Sequence, residues 1–287
     1  MENQAEKIVA LVDGSIYSAS VCEHAAWIAQ RTDAPVELLH VLGRREAPEK
    51  RDLSGSIMLG ARTALLQELA ELDAQRAKLI SHRGRAILED GRAILDKAGV
   101  SEVTTRLRQG DVSETVSEVE KDARVVMVGK RGEAADFARG HLGSNLERII
   151  RASSKPVFVA SRAFRPIAKV LVAHDGGVSA MKAVDHIARS TVFQGLAIHL
   201  VTVGAPTAEV KKGLDGAAAL LRAAGIEATS AILPGQPETV LAKLIEAEGF
   251  DLLVMGAYGH SRIRSLIIGS TTTAMIRSCK VPVVLIR

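Results

Sequence analysis

The sequence predicts an α/β fold, with two doubly wound and mainly parallel sheets of five strands following one another along the chain. Three observations support this prediction. The 287-residue chain carries one sequence pattern twice, and aliphatic runs alternate with helical patterns in each copy. Only 3% of the residues are aromatic, so Val, Ile, Leu and Ala must form most of the core.

The repeat is visible in three separate segments of each copy. "KIVALVDGS" parallels "KVLVAHDGG", "VVMVGKRG" parallels "LLVMGAYG", and "GSNLERIIRASSKPVFVA" parallels "GSTTTAMIRSCKVPVVLI". The segments occur in the same order in both copies, and periodicity breaks near Pro166 between them. We therefore expect two homologous domains, residues 1–161 and 168–287, joined by a short linker.

Strands and helices alternate within each copy. Aliphatic runs without strict alternation of polar residues are typical of strands buried on both faces, as in parallel sheets. In the first copy such runs are residues 8–12, 37–41, 125–128 and 158–160. Helical patterns at residues 18–31 and 114–121 follow Ser, Asp or Gly positions that suit helix caps.

The first copy is longer than the second because of an insertion at about residues 44–98. The segment is rich in Ala, Leu, Glu, Arg and Lys, with apolar residues every three or four positions. It predicts one extended amphipathic helix, or two. The apolar stripe is expected to cover the sheet of its own domain, with a partner-binding arm as the alternative; its members are Leu65, Leu69, Leu72, Leu79, Ile87 and Leu95.

Composition argues against several classes of function. The net charge is +4, but basic and acidic residues are interleaved and aromatic residues for stacking bases are few, so nucleic-acid binding is not expected. Cys22 and Cys279 are too few for a disulfide framework and are expected to be buried free thiols in a reducing compartment. Neither a signal sequence nor an 18-residue apolar run is present, so we expect a cytoplasmic protein without a membrane partner.

A stretch rich in glycine and hydroxyl residues follows the aliphatic run "DLLVM" in the second copy. It reads "GAYGHSRIRSLIIGSTTT" and begins at Gly256. Ligands of doubly wound sheets lie outside the carboxyl ends of the strands, and the free N–H groups at a helix N-terminus favour phosphate. Gly269 and Ser270 open the next helical pattern, and the hydroxyls of Ser270, Thr271 and Thr272 add donors. The stretch therefore predicts a phosphate site.

The glycine spacing is that of neither a P-loop nor a Rossmann fingerprint. It runs from Gly256 through two residues to Gly259, then through nine residues to Gly269 and Ser270. This pattern resembles the one that nucleotide-binding universal stress proteins carry after their fourth strand. Nearly the whole chain outside the insertion resembles a tandem universal stress protein. Other shared features are Asp13 and Asp175 after the first strand, Val41 and Val203 in the second, and Pro156 and Pro282 before the last.

The resemblance implies an adenine nucleotide alpha hydrolase-like fold in each copy and an adenine nucleotide, ATP or a relative, as ligand, with Mg²⁺ as an accompanying ion. It also implies an internal pseudo-dimer, in which Val157–Ala160 pairs with Val283–Ile286, and it leaves a further homodimer open. No separate metal site is expected from the isolated histidines.

In the second copy, the resemblance assigns the adenine and ribose to Ala173, Asp175 and Val203. It assigns the phosphates to Met255, Gly256, Gly259, Gly269, Ser270 and Thr271. The equivalents in the first copy are Asp13, Val41, Gly129, Gly132, Gly143, Ser144 and Asn145. That copy departs from the pattern, because ten residues separate its second and third glycines and Asn145–Leu146 replace two threonines. The second copy is thus the expected nucleotide site.

Alternatives remain for these residues and for the whole chain. Asp13 and Asp175 are equally suited to capping the helices that follow them. The sequence has no Walker lysine, HRD loop or G-x-S-x-G elbow, so at most slow ATP hydrolysis is expected. The alternative function is an interaction scaffold without nucleotide, in which the Leu-rich insertion holds a partner or an apolar ligand.

Overall fold

A computed structural model of the chain describes residues 6–43, 59–132, 144–257 and 269–287. Strands and helices alternate along both halves. The strands of the first half are β1 Lys7–Leu11, β2 Val36–Leu42, β3 Val103–Gln109, β4 Ala123–Gly129 and β5 Val157–Ala160. Its helices are α1 Ser18–Thr32, α2 Leu59–Lys97, α3 Val112–Val119 and α4 Ser144–Ala152.

The second half repeats this order. Its strands are β6 Lys169–Ala173, β7 Ala197–Val203, β8 Ala228–Leu233, β9 Leu252–Gly256 and β10 Val283–Ile286. Its helices are α5 Val178–Arg189, α6 Ala208–Ala223, α7 Pro237–Glu248 and α8 Ser270–Ser278. Short 3₁₀ turns occur at Glu120–Asp122 and Thr191–Phe193.

The ten strands of the described residues lie in one sheet, in the order β3-β2-β1-β4-β5-β10-β9-β6-β7-β8. Every neighbouring pair is parallel except β5 and β10, which are antiparallel. Each half is therefore a doubly wound, parallel five-stranded unit, and the predicted fold class is confirmed.

The antiparallel pair at the centre joins the two halves. Val283, Val284 and Leu285 lie opposite Val159, Phe158 and Val157. Side chains also reach across this boundary: the Arg31 Nε donates to the Val192 carbonyl at 2.7 Å and the Lys130 ammonium donates to the Cys279 carbonyl. Because the central pair is antiparallel, the carboxyl ends of the two sets of parallel strands face opposite ends of the sheet.

Apolar layers cover both faces of the sheet. In β1, Ile8 and Ala10 belong to one layer and Val9 and Leu11 to the other, since successive side chains of a strand alternate between faces. The first layer includes residues of α1, α2, α5 and α6. The second includes residues of α3, α4, α7 and α8.

The insertion forms one long helix that packs on the sheet only toward its C-terminal end. Leu95 is fully buried there and Ile87 is partly buried against the same layer. The expectation that the whole stripe covers the sheet is wrong for Leu65, Leu72 and Leu79, which are 39%, 55% and 70% exposed. The reason is length: 39 residues of helix span about 58 Å at 1.5 Å per residue, whereas a seven-residue strand spans about 23 Å.

Both cysteines are buried free thiols, as predicted. Burial raises the pKa of the Cys22 thiol to about 12, so that thiol stays protonated. In the described residues, no helix is both long enough and apolar enough to cross a membrane.

His24 makes the stability of the core depend on pH. Its ring is fully buried between Phe158 and Phe164, and its Nδ1 donates to the Ser20 carbonyl at 2.7 Å. Burial lowers its pKa to about 4, against a partial opposing effect of the bond to Ser20. Between about pH 6.5 and pH 4, the ring is therefore neutral in the folded protein but protonated in the unfolded chain.

We expect His24 to cost about 2 kcal/mol of unfolding free energy between pH 7 and pH 5. The sign follows because the unfolded state binds the proton first as the pH falls below about 6.5. His24→Phe should make this loss smaller by that amount in urea unfolding, while the exposed-site control His82→Gln should not. Equal losses in the native protein and His24→Phe would contradict the assignment.

Candidate functional site

The second half has its topological switch point between β6 and β9. The chain proceeds from β6 outward to β7 and β8, then returns to place β9 on the other side of β6. Ala173, at the end of β6, pairs with Val201 of β7 and with Met255 of β9. Helix α5 leaves over one face and α8 over the other. This geometry opens a crevice at the carboxyl ends of the strands, where doubly wound folds bind ligands.

The structure brings several predicted site residues to this edge. Ala173, Val203, Met255 and Gly256 lie at the carboxyl ends of three adjacent strands. Met255 is 5% exposed and its side chain belongs to the core, so its backbone is the part available to a ligand. Asp175 is exposed just beyond β6. The edge therefore offers mainly backbone groups and one carboxylate.

Helix α8 begins beside this edge. Gly269 is its N-cap, and the Thr273 N–H is the first to bond back to the Gly269 carbonyl, at 2.9 Å. The N–H groups of residues 270–272 therefore have no acceptor within the helix. Ser270 is exposed and Thr271 half-buried. The helix dipole adds partial positive charge at this end.

Thr272 anchors the helix instead of offering a donor. Its side chain is 3% exposed, and its hydroxyl lies 3.3 Å from the Gly256 carbonyl and 3.4 Å from the Ala257 carbonyl. The expectation that this hydroxyl adds a donor for phosphate is therefore wrong, because it donates to backbone oxygens at the end of β9. The contact fixes the N-terminus of α8 against the switch point.

Gly256 has a packing reason to be glycine. A Cβ at this position would lie 2.8 Å from the Ser179 Cβ and 3.3 Å from the Ala180 nitrogen, at the start of α5. In the first half, a Cβ on Gly129 would lie 2.6 Å from the Cβ of Tyr17, the residue equivalent to Ser179. The repeated glycine thus permits close approach of a helix to the strand end. The sequence pattern alone did not reveal this helix contact.

Both strand-end aspartates accept local backbone hydrogen bonds. Asp175 Oδ1 accepts from the Gly177 N–H at 2.8 Å, in the turn before α5. Asp13 Oδ1 accepts from the Ser15 N–H at 3.0 Å and lies 3.2 Å from the Ser18 hydroxyl. These are local turn contacts before each helix and not side-chain caps, because the N-caps of α1 and α5 are Tyr17 and Gly177 and neither receives a side-chain capping bond. Ligand contact by either aspartate stays a prediction.

Two buried histidines, His40 and His174, lie at contacts between the second strand of each half and the end of its first strand. His40 Nδ1 donates to the Val12 carbonyl at 2.7 Å and joins β2 to the end of β1. The equivalent positions in the second half are Thr202 and His174, whose hydroxyl and Nδ1 lie 3.5 Å apart. Burial lowers the pKa of His174, with Asp175 partly opposing the effect. His174 is therefore a neutral, buried side chain at the carboxyl end of β6, next to Asp175.

The first half differs at its corresponding edge. A Cβ on Gly132 would lie 2.9 Å from Asp13 Oδ2, so the segment after β4 passes over that carboxylate. Leu146 is buried in α4 where α8 has Thr272, so the strand end lacks the hydroxyl anchor. Asn145 is exposed, and Val41 is half-buried in β2. Gly143, Gly259 and the side chain of Ser144 lie outside the described residues.

Lys130 follows Gly129 at the carboxyl end of β4, but its ammonium group binds elsewhere. Its ammonium donates to the Cys279 carbonyl beyond the C-terminus of α8. Burial lowers the pKa of Lys130. Across the described ranges, His, Cys, Asp and Glu form no group of three that could hold a metal ion.

These features define a class of protein: a tandem, doubly wound α/β protein whose second half presents mainly backbone groups at its topological switch point. The sequence matches the universal stress protein family over residues 4–161 and again over residues 166–287. The chain therefore belongs to the universal stress protein family.

Similar proteins match nearly the whole length of the chain. A universal stress protein of Synechocystis sp. is 37% identical over 286 residues, which cover 98% of this chain and 100% of the relative. A universal stress protein of Mycolicibacterium smegmatis is 27% identical over an alignment that covers 96% of this chain and 95% of the relative. The crystal structure of a universal stress protein from Archaeoglobus fulgidus has a TM-score of 0.72 at 19% identity, covering 99% of this chain and 97% of that one.

The contact between Gly256 and α5 can be tested by a double substitution. Gly256→Ala should lower the unfolding free energy by about 1–3 kcal/mol, because the new methyl group overlaps Ser179. Adding Ser179→Gly should make the effect of Gly256→Ala smaller, and a double-mutant cycle in urea measures that coupling. Simple additivity of the two substitutions would show that the close approach does not determine the glycine.

Proposed function

We propose that this universal stress protein binds ATP or a related adenine nucleotide in the crevice of its second half. The observation that carries the proposal is the N-terminus of α8, fixed by Thr272 at the carboxyl end of β9 beside the switch point. Its free N–H groups and dipole suit a phosphate chain. Ser270 and Thr271 would offer hydroxyl donors to the phosphates, and the backbone at Gly256 and Gly269 would allow their close approach. Gly259 is assigned to the phosphates on the sequence pattern alone.

The other end of the nucleotide is assigned to β6 and β7. The backbone at Ala173 and Val203 would face the adenine, and the exposed carboxylate of Asp175 would face the ribose hydroxyls. Mg²⁺ would accompany the phosphates through the nucleotide itself, since the described residues offer it one nearby carboxylate and no cluster. No residue is assigned to hydrolysis.

The second crevice suits the nucleotide better than the first. Tyr17 packs against Gly129 where the second half has the smaller Ser179 against Gly256. Leu146 also replaces the hydroxyl that fixes α8. We therefore propose one strong site per chain, with the first half in a structural role. Its candidates Gly132, Gly143, Ser144 and Asn145 would then contribute weakly or not at all.

Nucleotide occupancy would act as a regulatory signal in the stress response. We propose that residues 1–161 and 168–287 are two domains that stay paired through β5 and β10 in the cytoplasm. Ligand binding at one edge would then be transmitted to a partner through a rigid central sheet. Neither nucleic acid nor a membrane is among the proposed partners.

A negative charge introduced at the N-terminus of α8 should affect phosphate binding and protein stability in opposite directions. Thr271→Glu should leave the protein as stable or slightly more stable, because a carboxylate is favourable in the first turn of a helix. The same carboxylate should repel phosphate and weaken ATP binding at least tenfold in calorimetric titration. Asn145→Glu, at the equivalent position of α4, is the matched control and should leave the affinity unchanged.

Three outcomes would contradict the proposal. They are the absence of titration heat with the native protein, full affinity in Thr271→Glu, and a loss of affinity confined to Asn145→Glu. The last would place the working site in the first half. Thermal unfolding of each variant shows that any loss reflects binding and not the fold.

A second candidate function is an interaction scaffold, favoured by the exposed part of α2. Leu65, Leu72 and Leu79 are seven residues apart, a spacing typical of helix pairing. Between residues 68 and 85 of this helix, exposed acidic residues precede exposed basic ones: Glu68, Glu71 and Asp73, then Arg76, Lys78, Arg83 and Arg85. An antiparallel pair of such helices places opposite charges together. We therefore propose a second copy of the chain as the occupant.

Replacing Leu65, Leu72 and Leu79 together by Gln removes the apolar stripe without touching the packed end of α2. The native chain should sediment as a dimer at micromolar concentration and the triple variant as a monomer. Substituting Ile16, another exposed apolar residue, by Gln is the control and should leave the dimer intact. A native monomer would rule out self-association, and ATP binding by the monomer would show that the two functions are separate.

A further inference from the structure

Helix α8 is held by polar contacts at both of its ends. At its N-terminus, the Thr272 hydroxyl lies against the Gly256 and Ala257 carbonyls at the carboxyl end of β9. At its C-terminus, the Lys130 ammonium donates to the carbonyl of the C-cap residue, Cys279. Thr272 belongs to the same half as β9, whereas Lys130 belongs to the other half. The helix that carries the proposed phosphate site is therefore held partly by the first half.

The C-terminus of α8 ends without the left-handed residue that closes many helices. Cys279 has an extended backbone, and its N–H bonds back to the Met275 carbonyl at 2.9 Å. The last carbonyls give this end of the helix partial negative charge, which a cation stabilises. Lys130 supplies that cation from outside the helix.

The ammonium of Lys130 is committed to this contact. Cys279 is only 5% exposed and belongs to the apolar layer under α8, and Lys130 is itself half-buried. An ammonium that is withdrawn from water requires a hydrogen-bond acceptor, and its interaction with a dipole is stronger there than in water. The charge of Lys130 is therefore compensated by the negative end of α8.

The backbone that carries Lys130 is anchored in the first half. Lys130 directly follows β4, which is paired with β1 on one side and with β5 on the other. The carbonyl of the next residue, Arg131, accepts from the Ser15 hydroxyl at 3.4 Å, in the turn after β1. The lysine thus ties α8 to a point that is fixed by the strands of the opposite half.

The repeat offers a matched contact at the other helix. The C-terminus of α4 accepts hydrogen bonds from Arg287 of the second half, at 3.0 Å on the Arg151 carbonyl and 3.4 Å on the Ser153 carbonyl. Ser153 is the equivalent of Cys279. Both helices therefore receive a cation from the opposite half, but only α8 carries a proposed phosphate site. Arg287 is for this reason the natural control for Lys130.

We infer that Lys130 is a positioning residue for phosphate binding in the second half, acting across the boundary through α8. The inference rests on the proposed nucleotide site. The helix has nine residues and spans about 14 Å, so a phosphate at its N-terminus and the ammonium at its C-terminus complement the two ends of one dipole. Both charges favour the same placement of α8, so each strengthens the contact of the other.

Lys130→Met keeps the length of the side chain and removes its charge. We expect this variant to bind ATP about fivefold more weakly in calorimetric titration, the effect of losing a favourable charge at a helix end. Adenosine has no phosphates to contact α8, so its affinity should not change. The control Arg287→Met should bind both ligands as the native protein does.

The reciprocal effect can be measured on the native protein, so the test does not depend on the folding of Lys130→Met. ATP should slow the acetylation of Lys130 by acetic anhydride about threefold, as read by mass spectrometry, because a bound phosphate holds α8 against the ammonium. Adenosine should give no protection. The Thr271→Glu protein should show none at the same ATP concentration.

The outcomes separate this inference from the proposed function. If the native protein binds ATP but Lys130→Met binds it equally well, or if bound ATP leaves the acetylation rate unchanged, the inference fails and the nucleotide site stands. Equal losses of ATP and adenosine affinity would show a general structural role and would also overturn it. Protection that persists in Thr271→Glu would overturn it by placing the ligand in the first half. Absence of ATP binding by the native protein would overturn both proposals.

Discussion

The antiparallel hydrogen bonding between β5 and β10 is the constraint on which the rest of the structure depends. It converts two parallel five-stranded units into one sheet and leaves neither unit with a free edge at the centre. Because the pair is antiparallel, the carboxyl ends of the two units point to opposite ends of the sheet. The two crevices are therefore well separated, and both halves share the central face.

The same pairing allows the two halves to diverge. Each half keeps the strand order and the close approach of a helix to a strand-end glycine, at Gly129 and at Gly256. The two halves differ at positions where the change leaves the strand order and the helix packing the same. Thr272 becomes Leu146 at one helix N-terminus, and Asp251 becomes Arg124 at one strand start. A duplicated fold thus carries one proposed nucleotide site, in its second half.

Much of the fold could be predicted from sequence because the repeat and the aliphatic runs are local patterns. The order of elements follows from them. Contacts between distant residues could not be predicted in this way: the overlap that a Cβ on Gly256 would make with Ser179, or the inward bond of the Thr272 hydroxyl. The exposure of Leu72 also depends on where the sheet ends, which the helical pattern does not encode.

Hydrogen exchange followed by mass spectrometry, with and without ATP, would test the proposed nucleotide site most directly. ATP should slow exchange at the start of α8, Ser270–Ser278, and at the end of β9, Leu252–Gly256. The equivalent helix of the first half, Ser144–Ala152, should exchange at the same rate in both conditions. Protection confined to that helix, or no protection anywhere at saturating ATP, would contradict a nucleotide site in the second half.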